Sequence, residues 1–582
     1  MNIFNIISLC GGLAFFLYGM HIMSSGLNKL TGGKLELTLK KMTSNPLNSL
    51  LLGAGITIAI QSSSAMTVML VGLVNSGVMQ LSQTVGVIMG SNIGTTLTAW
   101  ILALAGIESD TFVLQLLKPE NFAPIFALVG VIMIMGSSKP RRRDLGVILV
   151  GFAILMYGME LMTNSVSPLA DMPQFSSILT AFSNPILGVA VGAIFTGIIQ
   201  SSAASVGILQ ALSLTGAVTF GTAIPIIMGQ NIGTCVTAII SSVGVNRNAK
   251  RVAAVHISFN IIGTIVFLIL YFICDMIIGL PFIDEAITPS GIALCHSVFN
   301  IATTAMLLPF RNQLVTLACR LVPDKPGEKQ AVDLMPDERL LVTPGFAVAE
   351  CNDRVNDMAN LAASAVNSSI DLFLNYDEKL EADVLEDEDM LDKYEDALGT
   401  FLVKVSCETL SAEDSRQVSK CLHTISDLER IGDHAQNIAE VAQEMHDKRI
   451  EFSGDADKDL DVINSAVREV VSITTKAFTT SDLELAKQVE PLEDVIDELI
   501  DEAKSRHIAR LQHSECTIEL GFIFTDYLTN IERISDHCSN VAVCLLEVAG
   551  TEFDTHNYIY NMKDLPEFKQ LFAQYRDKYQ LP

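Results

Sequence analysis

Two hydropathy patterns divide the chain. Over residues 1 to about 320, long apolar runs alternate with short charged breaks. Met42 to Ile107 contains no Asp, Glu, Lys, Arg or His, and Met172 to Asn246 contains none either. Uncharged stretches of that length belong in a bilayer rather than in water. Beyond the breaks at Pro323, Pro326, Gly327 and Pro336, apolar residues recur at helical spacing through about Leu546. The pattern predicts an all-α chain. It has a polytopic membrane domain at 1–320, a linker at 321–340, a helical water-soluble domain at 341–550 and a tail at 551–582.

The apolar part is duplicated. Residues 12–105 return at 151–244, shifted by 139 positions without insertion or deletion. Its best-matched parts are polar. Gln61-Ser62-Ser63 returns as Gln200-Ser201-Ser202, and Gly90-x-Asn92-Ile93-Gly94-Thr95 returns as Gly229-x-Asn231-Ile232-Gly233-Thr234. Tyr18 and Tyr157 match as well, and read as interface anchors or packing residues. His21 and Glu160 occupy equivalent positions with different chemistry. An apolar duplication preserved best at its polar positions points to a carrier with a two-fold site.

Loop charges orient the two copies. Lys29 to Lys41 holds four lysines and one glutamate, whereas its counterpart, Ser167 to Ser183, holds only Asp171. At the other end of the repeat the bias reverses, with Glu108 and Asp110 set against Arg247, Lys250 and Arg251. Basic loops stay cytoplasmic, so the copies are expected in opposite orientations as an inverted-topology pair. This puts the N-terminus outside a cell (inner, plasma) membrane and the C-terminal domain in the cytoplasm. The first apolar segment lacks a basic leader and reads as a true span rather than a cleaved signal.

Between Pro46 and Leu81, two apolar runs flank Gln61-Ser62-Ser63-Ser64-Ala65. Each reaches only about 21 Å at about 1.5 Å per residue, short of a hydrocarbon core about 30 Å thick. Re-entrant hairpins with polar tips are therefore expected, here and at Pro185 to Gly216. The Gly-x-Asn-Ile-Gly-Thr segments are expected to break the helices that follow, freeing backbone groups to line a cavity. A hairpin tip at a helix N-terminus offers amides, hydroxyls and the positive end of a dipole, which suits an oxyanion. No Lys or Arg lies in either uncharged stretch, so a buried anion there needs bound cations. One serine pair could simply serve helix packing. Duplication in register favours a site.

These paired motifs resemble the type II sodium–phosphate cotransporter family over roughly residues 1–310. The resemblance implies Na⁺-coupled movement of inorganic phosphate through an inverted repeat whose hairpins meet at the centre. It implies that Gln61, Ser62, Ser63, Ser64, Gln200, Ser201 and Ser202 surround substrate and sodium, with Asn92, Thr95, Asn231 and Thr234 completing the lining. Ala203 stands where the family's second motif often has a third serine, so one hydroxyl is lost.

The second part is strongly acidic. Residues 1–330 carry 16 Lys+Arg and 12 Asp+Glu, and the whole chain is −27, so residues 331–582 carry −31. A second duplication lies here. Asp427-Leu-Glu429-Arg430-Ile431-Gly432-Asp433-His434 matches Asn530-Ile-Glu532-Arg533-Ile534-Ser535-Asp536-His537, and Glu388-Asp389-Met390-Leu391-Asp392 matches Glu493-Asp494-Val495-Ile496-Asp497. Glu and Asp four apart share a helix face. The region resembles the PhoU family of phosphate-signalling regulators, which implies a pair of three-helix bundles. It also implies divalent metal at Glu429, Asp433, Glu532 and Asp536. Oxygen ligands alone leave Mg, Mn, Fe or Ca open. A solvated or ion-paired face is the other reading of the same residues.

The function expected is secondary transport of phosphate with sodium, with a PhoU-like cytoplasmic regulator and a phosphate-signalling protein as its partner. An exporter of the same fold and a phosphate-sensing signalling protein are the alternatives. No nucleic-acid partner is expected. Nor is an enzyme, because no nucleophile–base pair or nucleotide loop is present. The eleven cysteines show no paired spacing and read as free thiols.

Overall fold

The computed structural model describes residues 3–31, 45–104, 119–169, 184–324, 336–450, 452, 454–513, 516–549, 563 and 565–582. Much of the loop charge that predicts the topology, including Lys34, Glu108, Asp110 and Asp171, lies outside these residues. The described chain is helical, with one isolated antiparallel bridge between Thr219 and Ala286. It forms two compact units, the first made of Met1–Asp333, Asp337–Phe346 and Thr409–Ala412, the second of Leu334–Pro336, Ala347–Glu408 and Glu413–Pro582.

In the first unit, α1 (Ile3–Thr31), α2 (Pro46–Ile60), α3 (Ser63–Asn75) and α4 (Leu81–Ala103) come from the first repeat. After α5 (Pro119–Gly136), the second copy supplies α6 (Pro140–Val166), α7 (Pro185–Ile199), α8 (Ser202–Ser213), α9 (Phe220–Gly233) and α10 (Cys235–Ser241). Then follow α11 (Arg247–Ile278), α12 (Pro289–Leu307) and α13 (Arg311–Leu321). Among the described residues, six helical stretches, beginning at Ile3, Leu81, Pro140, Phe220, Arg247 and Pro289, are long and apolar enough to cross a bilayer. The helices of both hairpins are shorter. The unit is a multi-pass membrane domain.

Glycines decide its packing. A β-carbon on Gly19 of α1 would sit 2.4 Å from the Leu155 nitrogen, and one on Gly158 of α6 would sit 2.4 Å from the Phe16 nitrogen. Gly19 and Gly158 are repeat equivalents, as are Phe16 and Leu155. Gly12 meets Met162 while Gly19 meets Leu155, so these two equivalent helices run antiparallel in backbone contact.

The motif glycines act in the same way, which corrects the expectation of broken helices. α4 runs unbroken through Gly90 to Thr95. In the second repeat the helix only pauses at Thr234, which keeps right-handed helical angles. Gly90 and Gly229 instead bring α4 onto α2 and α9 onto α7, facing the Leu50 and Val189 carbonyls. Close packing of a whole helix face outweighs the weak helix propensity of two glycines.

Residues 322–324 are held to the start of α11. Arg251 bonds the Val322 carbonyl at 3.0 Å and pairs with Asp324 at 2.5 Å. Further on, the turn Glu338–Val342 docks within this unit. Asn75 of α3 donates to Asp337 at 2.7 Å, and Arg339 donates to the Ser241 and Val243 carbonyls at 2.7 and 2.8 Å. The end of the expected linker is thus built into the membrane unit.

The second unit contains α14 (Pro344–Leu374), α15 (Glu378–Ser406), α16 (Ala412–Lys448), α17 (Gly454–Thr480), α18 (Val489–Gln512) and α19 (Ile518–Ala549). These are two sets of three, one per copy of the duplicated motifs. Their buried stripes, such as Leu391, Leu398, Leu402 and Val405 in α15, follow the helical period. A last helix, α20 (Pro566–Lys578), packs on α18.

Candidate functional site

Each hairpin turns on its glutamine. Gln61 closes α2 and Gln200 closes α7, both in the left-handed region with φ 57°. A non-glycine residue there costs about 1–3 kcal/mol, and such strain collects at functional positions. The turn lets the next serine cap the following helix. The Ser62 hydroxyl accepts from the Ala65 amide at 3.1 Å, and Ser201 accepts from the Ala204 amide at 3.2 Å. The first amides of α3 and α8 have no carbonyl partner within their own helices, and Ser63, Ser64 and Ser202 lie on the same turns. Two serine-lined helix N-termini in equivalent positions can bind an anion.

The copies are not identical. The Gln61 side chain is 9% exposed, accepts from Thr98 of α4 at 3.0 Å and donates to the Ile58 carbonyl at 2.6 Å. Gln200 is exposed. Residues 99–103 of α4 also serve the second hairpin. Gln210 of α8 donates to the Ala99 carbonyl at 3.0 Å, and Ala99 and Ala103 pack with Val206 and Leu209. α4 therefore joins the two hairpins.

Asn92 and Asn231 are buried and donate to the carbonyl four residues back, at 3.0 and 2.9 Å. The hydroxyls of Thr95 and Thr234 also bond their own helices. With the amide nitrogens used in this way, the side-chain oxygens of the two asparagines remain as acceptors.

In the second unit, the duplicated motifs meet across an antiparallel pair. His434 bonds Asn530 and His537 bonds Asp427, each at 2.9 Å, with the imidazole rings 5.7 Å apart. Carboxylates converge beside them in two groups, Glu388–Asp392–Asp433 and Glu493–Asp497–Asp536. Each joins the i,i+4 pair of one helix to the aspartate of another. Asp433 and Asp536 thus lie in the convergent groups. Glu429 stands beside its group, and Glu532 is paired with Lys504 at 2.8 Å. Sequence reasoning missed Glu388, Asp392, Glu493 and Asp497 as ligand candidates, although their duplication was visible.

The electrostatics fit a cation. Burial, then the neighbouring Asp497 and Glu490, pushes the Glu493 carboxyl up to about 9. Burial, then Asp536 and Glu532, raises Asp497 to about 6. Burial, then Asp433 and Asp392, raises Glu429 to about 7. Crowded carboxylates without enough counter-charge suit a hard divalent ion.

The second group has an extra member. Glu490, whose equivalent in the first copy is Leu385, is buried and lies with Glu493 and Asp494. Lys563 answers it, at 3.3 Å from Glu490 and 2.8 Å from Asp494. A lysine in that place competes with a metal. Lys563→Ala is therefore expected to tighten Mn²⁺ binding at the second group several-fold in calorimetric titration, and Lys563→Arg to leave it unchanged.

Comparison with known proteins agrees with this geometry. The Na⁺/Pi-cotransporter family model matches residues 15–164 and 154–287, one match over each repeat, and the PhoU domain model matches residues 355–442 and 463–545. The Escherichia coli protein named "Putative inorganic phosphate export protein YjbB" is 23% identical over 549 residues, 93% of this chain and 97% of that one. Bacillus subtilis YqeW, described as uncharacterized, is 28% identical over 323 residues, 55% of this chain and 99% of that one. Rat sodium-dependent phosphate transport protein 2A is 38% identical over 107 residues, 18% of this chain and 17% of that one. With its membrane repeats and its acidic helical copies each matched in turn, the chain belongs to the Na⁺/Pi-cotransporter family and carries PhoU domains at its C-terminal end.

Proposed function

We propose that the membrane unit carries inorganic phosphate together with sodium by alternating access between its two repeats. The observation that carries this reading is the pair of serine-capped helix N-termini, each following a left-handed glutamine at an equivalent repeat position. In this reading Gln61, Ser62, Ser63, Ser64, Gln200, Ser201 and Ser202 hold the anion and its ions, and Asn92, Thr95, Asn231 and Thr234 add oxygen ligands. The surrounding stretches contain no Lys or Arg, so sodium offsets the charge of a dehydrated phosphate. Each net charge moved across about 100 mV contributes roughly 2.3 kcal/mol to the cycle. The protein sits in the plasma membrane with its N-terminus outside. The PhoU domains are cytoplasmic, bind divalent metal and regulate flux, together with a phosphate-signalling protein.

The test is flux of labelled phosphate in proteoliposomes of the full-length protein. Uptake should follow an imposed Na⁺ gradient, and Ser62→Ala or Ser201→Ala should lower it about tenfold, the effect of losing one charge-assisted hydrogen bond. Flux indifferent to Na⁺ removes the coupling. Export is the second reading, favoured by the name of the Escherichia coli relative that matches over nearly its whole length. Vesicles loaded with phosphate separate the two by the gradient that drives net efflux.

A further inference from the structure

The two hairpins are chemically equivalent but bonded differently. In the first repeat, the Ser24 hydroxyl of α1 donates to the Ile60 carbonyl at 2.6 Å, and Thr98 of α4 donates to the Gln61 side chain at 3.0 Å. Ile60 is the last residue of α2, where helix carbonyls lack partners of their own. A hydroxyl from α1 therefore ties down the end of the arm, and one from α4 ties down its tip.

Shifting by 139 positions names the equivalent groups: Thr163 for Ser24, Ile199 for Ile60, Thr237 for Thr98 and Gln200 for Gln61. All four residue types could make the same two bonds, and neither is made. The Thr163 hydroxyl is buried without a partner. Thr237 donates instead to the Thr234 carbonyl of its own helix at 2.8 Å, and Gln200 is exposed. Packing follows the bonds. α1 packs on α2, but α6 packs on α8 rather than on α7. Ile56 of α2 is 0% exposed, whereas its equivalent in α7, Phe195, is 39% exposed.

We propose that these groups are two alternative latches, of which one is closed here. Ser24 and Thr98 hold the first hairpin. In the opposite state Thr163 closes on the Ile199 carbonyl and Thr237 on Gln200, while the first pair opens. Thr163 and Thr237 are then positioning residues for a conformation in which the repeats have exchanged roles. Two antiparallel copies of one sequence can each adopt either bonding pattern at similar energy, which is the condition for a bistable element. The inference rests on alternating access as proposed above.

The experiment is amide hydrogen exchange of the full-length protein in nanodiscs, read separately at 61–64 and 200–203. It needs neither phosphate nor sodium, so it can fail while transport stands, and transport can fail while it succeeds. Wild-type protein should protect 61–64 more than 200–203. Ser24→Ala should speed exchange at 61–64 roughly fivefold, as expected for one ordinary hydrogen bond, and slow it at 200–203. Thr163→Ala should do the reverse. Ser24→Thr and Thr163→Ser keep the hydroxyl and should keep the wild-type pattern. Besides the latch bond not made here, Thr237→Val removes only the hydroxyl's local bond to the Thr234 carbonyl of its own helix, so the protein should fold as before, with 200–203 exchanging faster. Alanine variants that loosen the same tip, or a Thr237→Val pattern identical to wild type, would overturn the proposal.

Discussion

Gly90→Ala and Gly229→Ala are expected to unfold the hairpin layer, and Gly55→Ala is not. A methyl on Gly90 would lie 1.9 Å from the Leu50 carbonyl oxygen, and one on Gly229 would lie 2.1 Å from that of Val189. Adding volume to a packed interior costs about 1–3 kcal/mol when side chains can give way. Here the obstacle is the backbone of the partner helix, so the cost sits at the top of that range or above it. Gly55, on the same helix as Leu50, has nothing within 4 Å of its would-be β-carbon. Its replacement should be neutral, or stabilising by up to about 1 kcal/mol through helix propensity. Thermal melting of the purified protein in detergent, with phosphate flux alongside, checks all three. A Gly90→Ala protein that melts and transports like wild type would show that α2 and α4 are not in backbone contact.

The second large effect is the dependence of the PhoU domains on pH and metal. Glu493 is raised from its ordinary 4.5 to about 9, and Asp497 from 3.8 to about 6, in both cases first by burial and then by neighbouring carboxylates. Each group holds its proton more tightly folded than unfolded. Its stabilising contribution is complete below the unfolded value and is lost as pH rises through the folded one. Without metal, the melting transition of the C-terminal domain in the full-length protein should therefore fall steadily from about pH 5 to about pH 9. Mn²⁺ or Mg²⁺ should restore it most at the alkaline end. A cation at 100 times its dissociation constant adds about 2.7 kcal/mol. Binding should weaken up to roughly tenfold per pH unit on acidification, because each metal displaces a proton. Glu493→Gln should flatten both dependences. Melting and metal affinity that ignore pH across this window would mean that the convergent carboxylates hold no cation.

The apolar periods, the proline and glycine breaks and the two duplications are local features of the chain. They were enough to place helices in both units, to set Gln61 beside Gln200 as equivalents, and to find the acidic motifs. Residue types at fixed spacing report on single turns and single faces, and a serine that caps a helix does so with its own neighbours. The Gly-x-Asn-Ile-Gly-Thr segments were misread because a glycine pair weakens an isolated helix. Against α2 and α7 the same pair is what allows contact. The i,i+4 carboxylates of α15 and α18 were visible as a repeat, but their meeting with Asp433 and Asp536 depends on how separate helices cross. Lys563 left no signal at all, since nothing near it in the chain hints that it faces Glu490. Nor could equivalent sequences reveal that Ser24 is bonded while Thr163 is not. Two copies with the same local chemistry differ only through long-range packing, where a shift of one arm against its neighbour decides which hydroxyl reaches which carbonyl.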